Sequence, residues 1–224
     1  MELKFREIKA AVLAGLITIG LFAHGGAAKA AGSEELVVAG GCFWCVESDF
    51  ESIRGVKEVV SGYTGGTRDN PTYKQVTKGG TGHYEAVKIT FDPGKISRDQ
   101  LLNLFFRSVD PTDAGGQFCD RGDSYRTAIF VSNAAERAAA ERAKADAQAA
   151  LGRKVVTPIL QQSTFFDAEK YHQDYYKGTK LVVTRFGPKK QSSAYRAYRV
   201  ACGRDAKVKA LWGASAPFVT KYIN

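Results

Sequence analysis

"ELVVAGGCFWCVESDF" (residues 35–50) sets the architecture. Its first half is an apolar, β-branched run that stops at two glycines, the pattern of a buried strand entering a turn. From Phe43 the spacing changes. Phe43, Val46, Phe50 and Ile53 recur every three or four residues, as on one face of a helix. A strand, a glycine turn and a helix therefore follow in order, with Cys42 at the junction. Glu47, Asp49 and Glu51 fall early in that helix, where its dipole favours acids.

Working outward, "GVKEVVSGYTGG" predicts a second strand ending at glycines and "YEAVKITFD" a third. "ISRDQLLNLFFRSV" is an amphipathic helix with Ile96, Leu101, Leu104 and Phe105 on one side. "SYRTAIFVS" is a fourth strand. "NAAERAAAERAKADAQAALG" is a helix with Asn133 as N-cap and Gly152 just past its end. "VVTPILQ" adds a short strand. Strands alternating with helices argue for an α/β fold, a sheet covered by helices. The last fifty residues, rich in Tyr, Lys and Gly, read as an irregular tail from about 177 wrapped over the domain. No repeat or linker divides the chain.

Residues 1–30 stand apart. Lys4, Arg6 and Lys9 precede an uncharged run, "AAVLAGLITIGLFA", of fourteen residues, too short to favour a membrane span. Ala28-Lys29-Ala30 supplies the small-residue pattern of a cleavage site. Export with cleavage after Ala30 is expected, to a bacterial periplasm, with no stable membrane span afterwards. An uncleaved N-terminal anchor is the alternative, since Glu2 and Glu7 dilute the positive end. About 194 residues remain, within the range of one large domain. The formal net charge is +9; residues 1–30 hold four basic and two acidic groups, leaving +7 on the rest. Lys and Arg are scattered and no base-reading motif occurs, so a nucleic-acid partner is not expected.

The chain holds four cysteines: Cys42, Cys45, Cys119 and Cys202. In an exported protein they allow two structural disulfides in any of three pairings, or redox use. Cys42 at a helix start is placed to have its thiolate favoured by the first unpaired N–H groups. The bland reading is a small buried hydrophobe. Phe43 and Trp44 are adjacent and cannot share one helix face. The core register claims Phe43 and leaves Trp44 for a pocket wall or for ordinary packing.

In "YEAVKITF", alternation puts Glu85, Val87, Ile89 and Phe91 on one face. A carboxyl heading an apolar face is costly when ionised, and one held protonated is a candidate general acid. The alternative is a frayed strand start reaching water. "GQFCDRGDSYR" (116–126) and "NPTYKQVTKGGTGHYE" (70–85) are glycine-broken loops carrying Asp120, Asp123, Tyr125, Tyr73 and His83. Each alone reads as turn chemistry or packing. Cys119 is reactive or simply buried. His83 and His172 have no partner at metal-ligand spacing, and no second CxxC accompanies Cys42 and Cys45. No metal, flavin or nucleotide site is visible.

Together, "GGCFW", "SGYTGG", "NPTYKQV", "TGHYEAV", "DPTDAGGQFCDRGDSYR" and "EKYHQDYY" resemble one family in order and spacing. That family is peptide-methionine (S)-S-oxide reductase, the A-type methionine sulfoxide reductase. The resemblance implies a ferredoxin-like two-layer core with a mixed sheet and an extended tail. It implies Cys42 as nucleophile, Glu85 as the acid protonating the sulfoxide oxygen, and Tyr73 and Tyr125 as its hydrogen-bond donors. Asp120 would order the site, and Phe43 and Trp44 would cradle the S-methyl group. A Cys42 sulfenic acid would condense with a second thiol, giving a disulfide.

One position departs from the family's commonest pattern: Cys45 stands where glycine usually follows "CFW". Cys202, in the tail, and Cys45 are both candidates to resolve the sulfenic acid, with Cys202 slightly preferred for its reach. The expected partners are methionine sulfoxide in oxidised proteins and a thioredoxin-like or membrane-relay thiol donor. The protein itself is expected to be a monomer. Two other readings compete: a thioredoxin-like disulfide oxidoreductase using Cys42 and Cys45, and a binding module with all four cysteines paired.

Overall fold

The structure, a computed structural model, describes residues 32–219. The proposed leader and its cleavage site lie outside the described residues. Strand β1 (Glu34–Gly40) runs into helix α1 (Phe43–Glu51), as the opening stretch demands. Then follow β2 (Val56–Thr64), the short helix α2 (Tyr73–Lys78), β3 (Tyr84–Phe91) and α3 (Arg98–Arg107). A small hairpin, β4 (Gly116–Gln117) and β5 (Asp120–Arg121), leads through a 3-10 turn (Asp123–Tyr125) into β6 (Thr127–Val131). Helix α4 (Ala134–Leu151), β7 (Ile159–Gln161) and β8 (Phe166–Asp167) complete the main body.

The sheet is mixed, in the order β7-β6-β1-β3-β2-β8, with only β6–β7 parallel among these pairings. Strands β6, β1, β3 and β2 have the ferredoxin-like order, with β3 inserted between the two strands that α1 connects. The alternation read in β3 holds. Val87, Ile89 and Phe91 join the main core with α1, α3 and α4, while Tyr84 and Ala86 face a smaller cluster with Val37, Ala39 and Phe130. Each fully buried Phe or Ile of this core contributes about 1.5–3 kcal/mol relative to exposure.

Local signals set the helix ends. Asn133 Oδ1 accepts from Glu136 N at 2.9 Å, and Gly152, at φ 63°, closes α4 in the left-handed region. Ser97 and Gln100 form a reciprocal capping box on α3. Ala139, Ala140, Ala143 and Ala147 are the buried residues of α4, and small side chains there let it lie close to α3.

The C-terminal segment wraps over the domain as expected, yet it is more regular than its composition suggested. It contains the hairpin β9 (Leu181–Thr184) and β10 (Gly187–Lys190), then helices α5 (Gln191–Cys202) and α6 (Arg204–Trp212). What holds it down corrects the dipole reading of the acids on α1. None of those acids lies in the first turn of the helix. Asp49 is buried and takes Arg199 Nη1 at 2.7 Å, and Arg199 also binds Asp205. Buried Glu47 accepts from Ser61 Oγ at 2.7 Å and from Asp174 N at 2.7 Å. Asp49 is thus a partner for the tail, and Glu47 ties α1 to β2 and to the segment before the tail; neither serves the helix dipole.

Candidate active site

Cys42 is the N-cap of α1. The turn before it needs glycine twice over: Gly41 has φ 83°, and a Cβ there would lie 2.6 Å from Gln117 Cβ. Gln117 is itself locked, accepting from Asp110 N at 2.9 Å and donating to Asp110 O and Gly116 O at 2.8 Å. The β4–β5 hairpin is thereby pressed against the turn, which carries Asp120 toward Cys42.

Glu85 arrives from the other side. Val38 pairs with Val87 in the β1–β3 register, so two residues further on β3 brings Glu85 level with Gly40. It is 1% exposed, so the reading of a strand start frayed into water is excluded. Oε2 accepts the backbone N–H of Phe43 at 3.1 Å, while Oε1 is buried with no hydrogen-bond partner among the described residues. Burial pushes the carboxyl up to about 8, against the pull of the Phe43 N–H and of the nearby Tyr125 hydroxyl and reinforced by the charge of Asp120. At neutral pH it is mostly a protonated acid.

Tyr73 opens α2 behind a Thr72–Gln75 capping box, and its amide donates to Glu169 Oε1 at 3.0 Å. Its ring stacks on Phe43 at 6.2 Å, and its hydroxyl is hydrogen-bonded to that of Tyr125. Burial raises both phenols, so both stay protonated donors. Trp44 lies flat on Tyr175, centroids 3.8 Å apart, and its Nε1 donates to His172 Nδ1 at 3.1 Å. Burial lowers His172 to about 4, so it is neutral and able to accept there.

One small pocket is lined by Cys42, Phe43, Trp44, Glu85, Asp120 and both tyrosines, Tyr73 and Tyr125. Residues singled out from five separate segments thus meet. Tyr198 from α5 also lines it, with Oη 3.5 Å from Asp120 Oδ1. Sequence reasoning gave no role to Tyr198, His172 or Tyr175. The aromatic run "EKYHQDYY" was the available signal for two of them, but it does not say what they touch. A larger open cleft elsewhere, between the start of β1 and α4, holds mixed charges and no cysteine.

The cysteines depart from expectation in two ways. Cys42 is not a lowered thiol. It hydrogen-bonds to Cys45, is half-buried and partly desolvated, and faces the charges of Cys45, Glu85 and Asp120, all of which raise it. The first helix N–H is already taken by Glu85. Cys45 is lowered instead, to about 7, chiefly by the hydrogen bond from Cys42 and then by Arg204 and Arg199. The two thiols ionise as a pair, with the first negative charge on Cys45. Second, Cys202 is not free: it is disulfide-bonded to Cys119, while Cys42 and Cys45 are unpaired. Two of the four cysteines are thus free thiols in this state, unlike a module in which all four are paired.

A thiol pair with one member half-buried and one buried, a protonated carboxyl beside it and two phenol donors on a ferredoxin-like sheet define a thiol oxidoreductase that acts on an oxygen-bearing acceptor. The family profile described as peptide methionine sulfoxide reductase matches residues 34–213. The chain is 50% identical over 182 residues to peptide methionine sulfoxide reductase MsrA 2 of Caulobacter vibrioides, covering 81% of this chain and 86% of that protein. It is 48% identical over 181 residues to MsrA of Listeria innocua, covering 80% and 96%. Among solved structures it resembles reduced Mxr1 of Saccharomyces cerevisiae, with TM-score 0.62 and 31% identity over 65% of this chain and 84% of that one. It also resembles methionine sulfoxide reductase A of Corynebacterium diphtheriae, with TM-score 0.59 and 30% identity over 65% and 74%. The chain belongs to the peptide methionine sulfoxide reductase family, of the A type. It is an oxidoreductase that uses thiols to reduce methionine sulfoxide. A thioredoxin-like exchange role for Cys42 and Cys45 is not favoured, since such a role has no use for the buried acid and the paired phenols.

Proposed function

We propose that the pocket reduces the S-epimer of methionine sulfoxide, with Cys42 as nucleophile and Glu85 as general acid. The observation that carries this is the unpartnered Glu85 Oε1, buried in the pocket that Cys42 also lines. A protonated carboxyl with a free oxygen is a donor waiting for an acceptor. Sulfoxide oxygen is a poor leaving group until protonated, so Glu85 gives its proton as the Cys42 sulfur attacks the substrate sulfur. The protonated oxygen then passes to the Cys42 sulfur: the substrate S–O bond and the transient sulfur–sulfur bond break, a Cys42 S–O bond forms, and methionine leaves with Cys42 as a sulfenic acid.

Tyr73 and Tyr125 donate to the same oxygen, and Asp120 orders that side of the pocket. Phe43 and Trp44 receive the S-methyl group. Oxygen, methyl group and attacking thiol are then each assigned a direction around a tetrahedral sulfur, which admits one hand. The attacking form arises by proton transfer from Cys42 to the Cys45 thiolate that already accepts its hydrogen bond.

For resolution, the geometry favours Cys45 over the earlier preference for Cys202. Cys45 is in hydrogen-bond contact with Cys42, whereas Cys202 is held by Cys119. The sulfenic acid and the Cys45 thiol condense to a disulfide and release water. Reducing equivalents then come from a thioredoxin-like or membrane-relay thiol donor. Residues 1–30 act as an export leader, placing the enzyme in the periplasm as a repair activity for oxidised proteins. An intact mass beginning at Ala31 in exported material would support that placement, and one beginning at Met1 would sink cleavage.

The direct test supplies racemic blocked methionine sulfoxide with a small dithiol and follows both epimers by chiral chromatography. Selective loss of the S-epimer, abolished by Cys42→Ser, is expected. Persistence of both epimers overturns the assignment.

A further inference from the structure

The β9–β10 hairpin forms a two-stranded sheet of its own. Its inner residue Val182 packs against the cluster of Cys45, Tyr175 and Tyr195, so the ribbon is anchored. Its outer residues are apolar all the same. Leu181 is 68% and Val183 89% exposed, and Phe186 in the turn is 40% exposed. Single exposed apolar residues are ordinary, but several on one short ribbon mark a surface that meets something. The ribbon is also cationic: residues 178–190 carry Lys180, Arg185, Lys189 and Lys190, and no acid.

This surface runs into the sulfoxide pocket. At the hairpin tip, Arg185 lies over the ring of Tyr198 at 5.0 Å, and Tyr198 lines the pocket. At the hairpin base, Lys180 O accepts Gln191 N at 2.9 Å, and Gln191 Nε2 donates to Tyr171 O at 3.3 Å. Tyr171 is half exposed and packs on His172, the partner of Trp44, with centroids 4.1 Å apart. The tip of the ribbon therefore abuts a residue of the pocket wall, and its base is linked through Gln191, Tyr171 and His172 to a second, Trp44.

We propose that the β9–β10 hairpin is a docking surface for the polypeptide substrate around its oxidised methionine, selecting extended segments that carry acidic and apolar side chains nearby. This role rests on the assignment of the pocket to methionine sulfoxide and names the class of chain that presents it. The outer edges of a two-stranded sheet leave main-chain groups open to an extended partner, and alternate side chains then meet Leu181 and Val183. A four-residue strand spans about 13 Å, at ~3.3 Å per residue. The acids recognised therefore lie within roughly four residues of the sulfoxide. A reductant protein is the weaker occupant, because the ribbon's contacts lead to Tyr198 and Trp44 in the sulfoxide pocket. A folded domain fits poorly as well, since the sulfoxide must enter a small pocket while its neighbours lie along the ribbon.

The test uses the full chain carrying Cys42→Ser, which stops turnover, and fluorescent ten-residue peptides with a central methionine sulfoxide. One peptide has Asp and Leu flanks, and the other has Lys in place of Asp. By anisotropy, the acidic peptide is expected to bind at least tenfold tighter, and Val183→Asp with Lys190→Glu, the cation opposite Leu181 on the outer face, to erase most of that preference. Both positions are exposed, and retained thermal unfolding behaviour confirms the fold. With Cys42 intact, the double variant is expected to lower kcat/KM for the acidic peptide far more than for blocked methionine sulfoxide. Equal binding of the two peptides overturns the proposal. So does a double variant with unchanged preference, or one that slows only recycling by a protein thiol donor. Failure of the wild-type chain to reduce blocked methionine sulfoxide is a different result, and it would sink the pocket assignment itself.

Discussion

Glu85 Oε2 accepts the backbone N–H of Phe43 at 3.1 Å, and Phe43 is the first helical residue after Cys42. The carboxyl thus occupies the helix-start position that would otherwise favour a Cys42 thiolate. It binds the peptide that positions the nucleophile and keeps its other oxygen for the substrate.

Glu85→Gln keeps the shape and the acceptor for Phe43 N–H but has no acidic proton. Single-turnover reduction of methionine sulfoxide is expected to slow by about 10²–10⁴, the usual worth of general acid catalysis. In the wild type, the rate of that step is expected to fall as pH rises through about 8, where Glu85 ionises. Rapid-quench assays between pH 6 and 9.5 would show it. An undiminished rate in the Gln variant rules out the acid role.

The same group leaves a mark on stability. Its folded value, about 8, lies above the ordinary carboxylate value of 4.5, so the unfolded chain ionises first as pH rises. This group's contribution is therefore full below pH 4.5 and is lost progressively up to about 8. Thermal unfolding of Glu85→Gln against wild type across that window is expected to show the variant gaining relative stability with pH. Parallel curves would mean that Glu85 is not buried as a neutral acid.

Cys45→Ser removes the thiol bonded to Cys42. Methionine is still expected to form in a single turnover, but more slowly near pH 7, because the lowered thiolate is gone. The oxidised form should then persist as a sulfenic acid that a dione probe labels, detectable by mass spectrometry. Rapid disulfide formation in this variant would return the resolving role to Cys202.

Arg199 is buried between Asp49 on α1 and Asp205 on α6, at 2.7 Å and 2.6 Å. Arg199→Met leaves two acids facing a low-dielectric interior and is expected to cost about 3–5 kcal/mol. Urea unfolding would measure it. A change below ~1 kcal/mol would show that the tail is held by other contacts.

Much of this site was legible in order of sequence, and the reasons differ by residue. Glu85 could be found because a strand alternates strictly, so an acid on the apolar face must be buried. Cys42 could be found because two glycines between a strand and a helix leave one exposed corner. The pairing of Cys119 with Cys202 was not legible, because it depends on how the tail folds back across 83 residues. The role of Asp49 was missed for the same reason: helix position alone favours a dipole reading, and only the distant Arg199 reverses it. Helices α5 and α6 were hidden by their composition. Their buried faces mix charged and apolar groups, with Arg199, Arg204 and Asp205 inside beside Ala194, Tyr195, Val208 and Trp212, so the overall composition of the segment masked them.

The Cys119–Cys202 link also bears on how the molecule breaks. Everything between those two residues forms one covalent loop, and the exposed hairpin lies on it. A protease cutting at Val183 or Phe186 would open the backbone without releasing a fragment, since both pieces remain tied beside Asp120. Buried Arg199 and Arg204 lie on the C-terminal side of such a cut and still grip Asp49 and the carbonyl of Gly40. Clipped protein would run at full mass until a reductant is added, and the same thiols that recharge the enzyme would decide when a damaged copy comes apart.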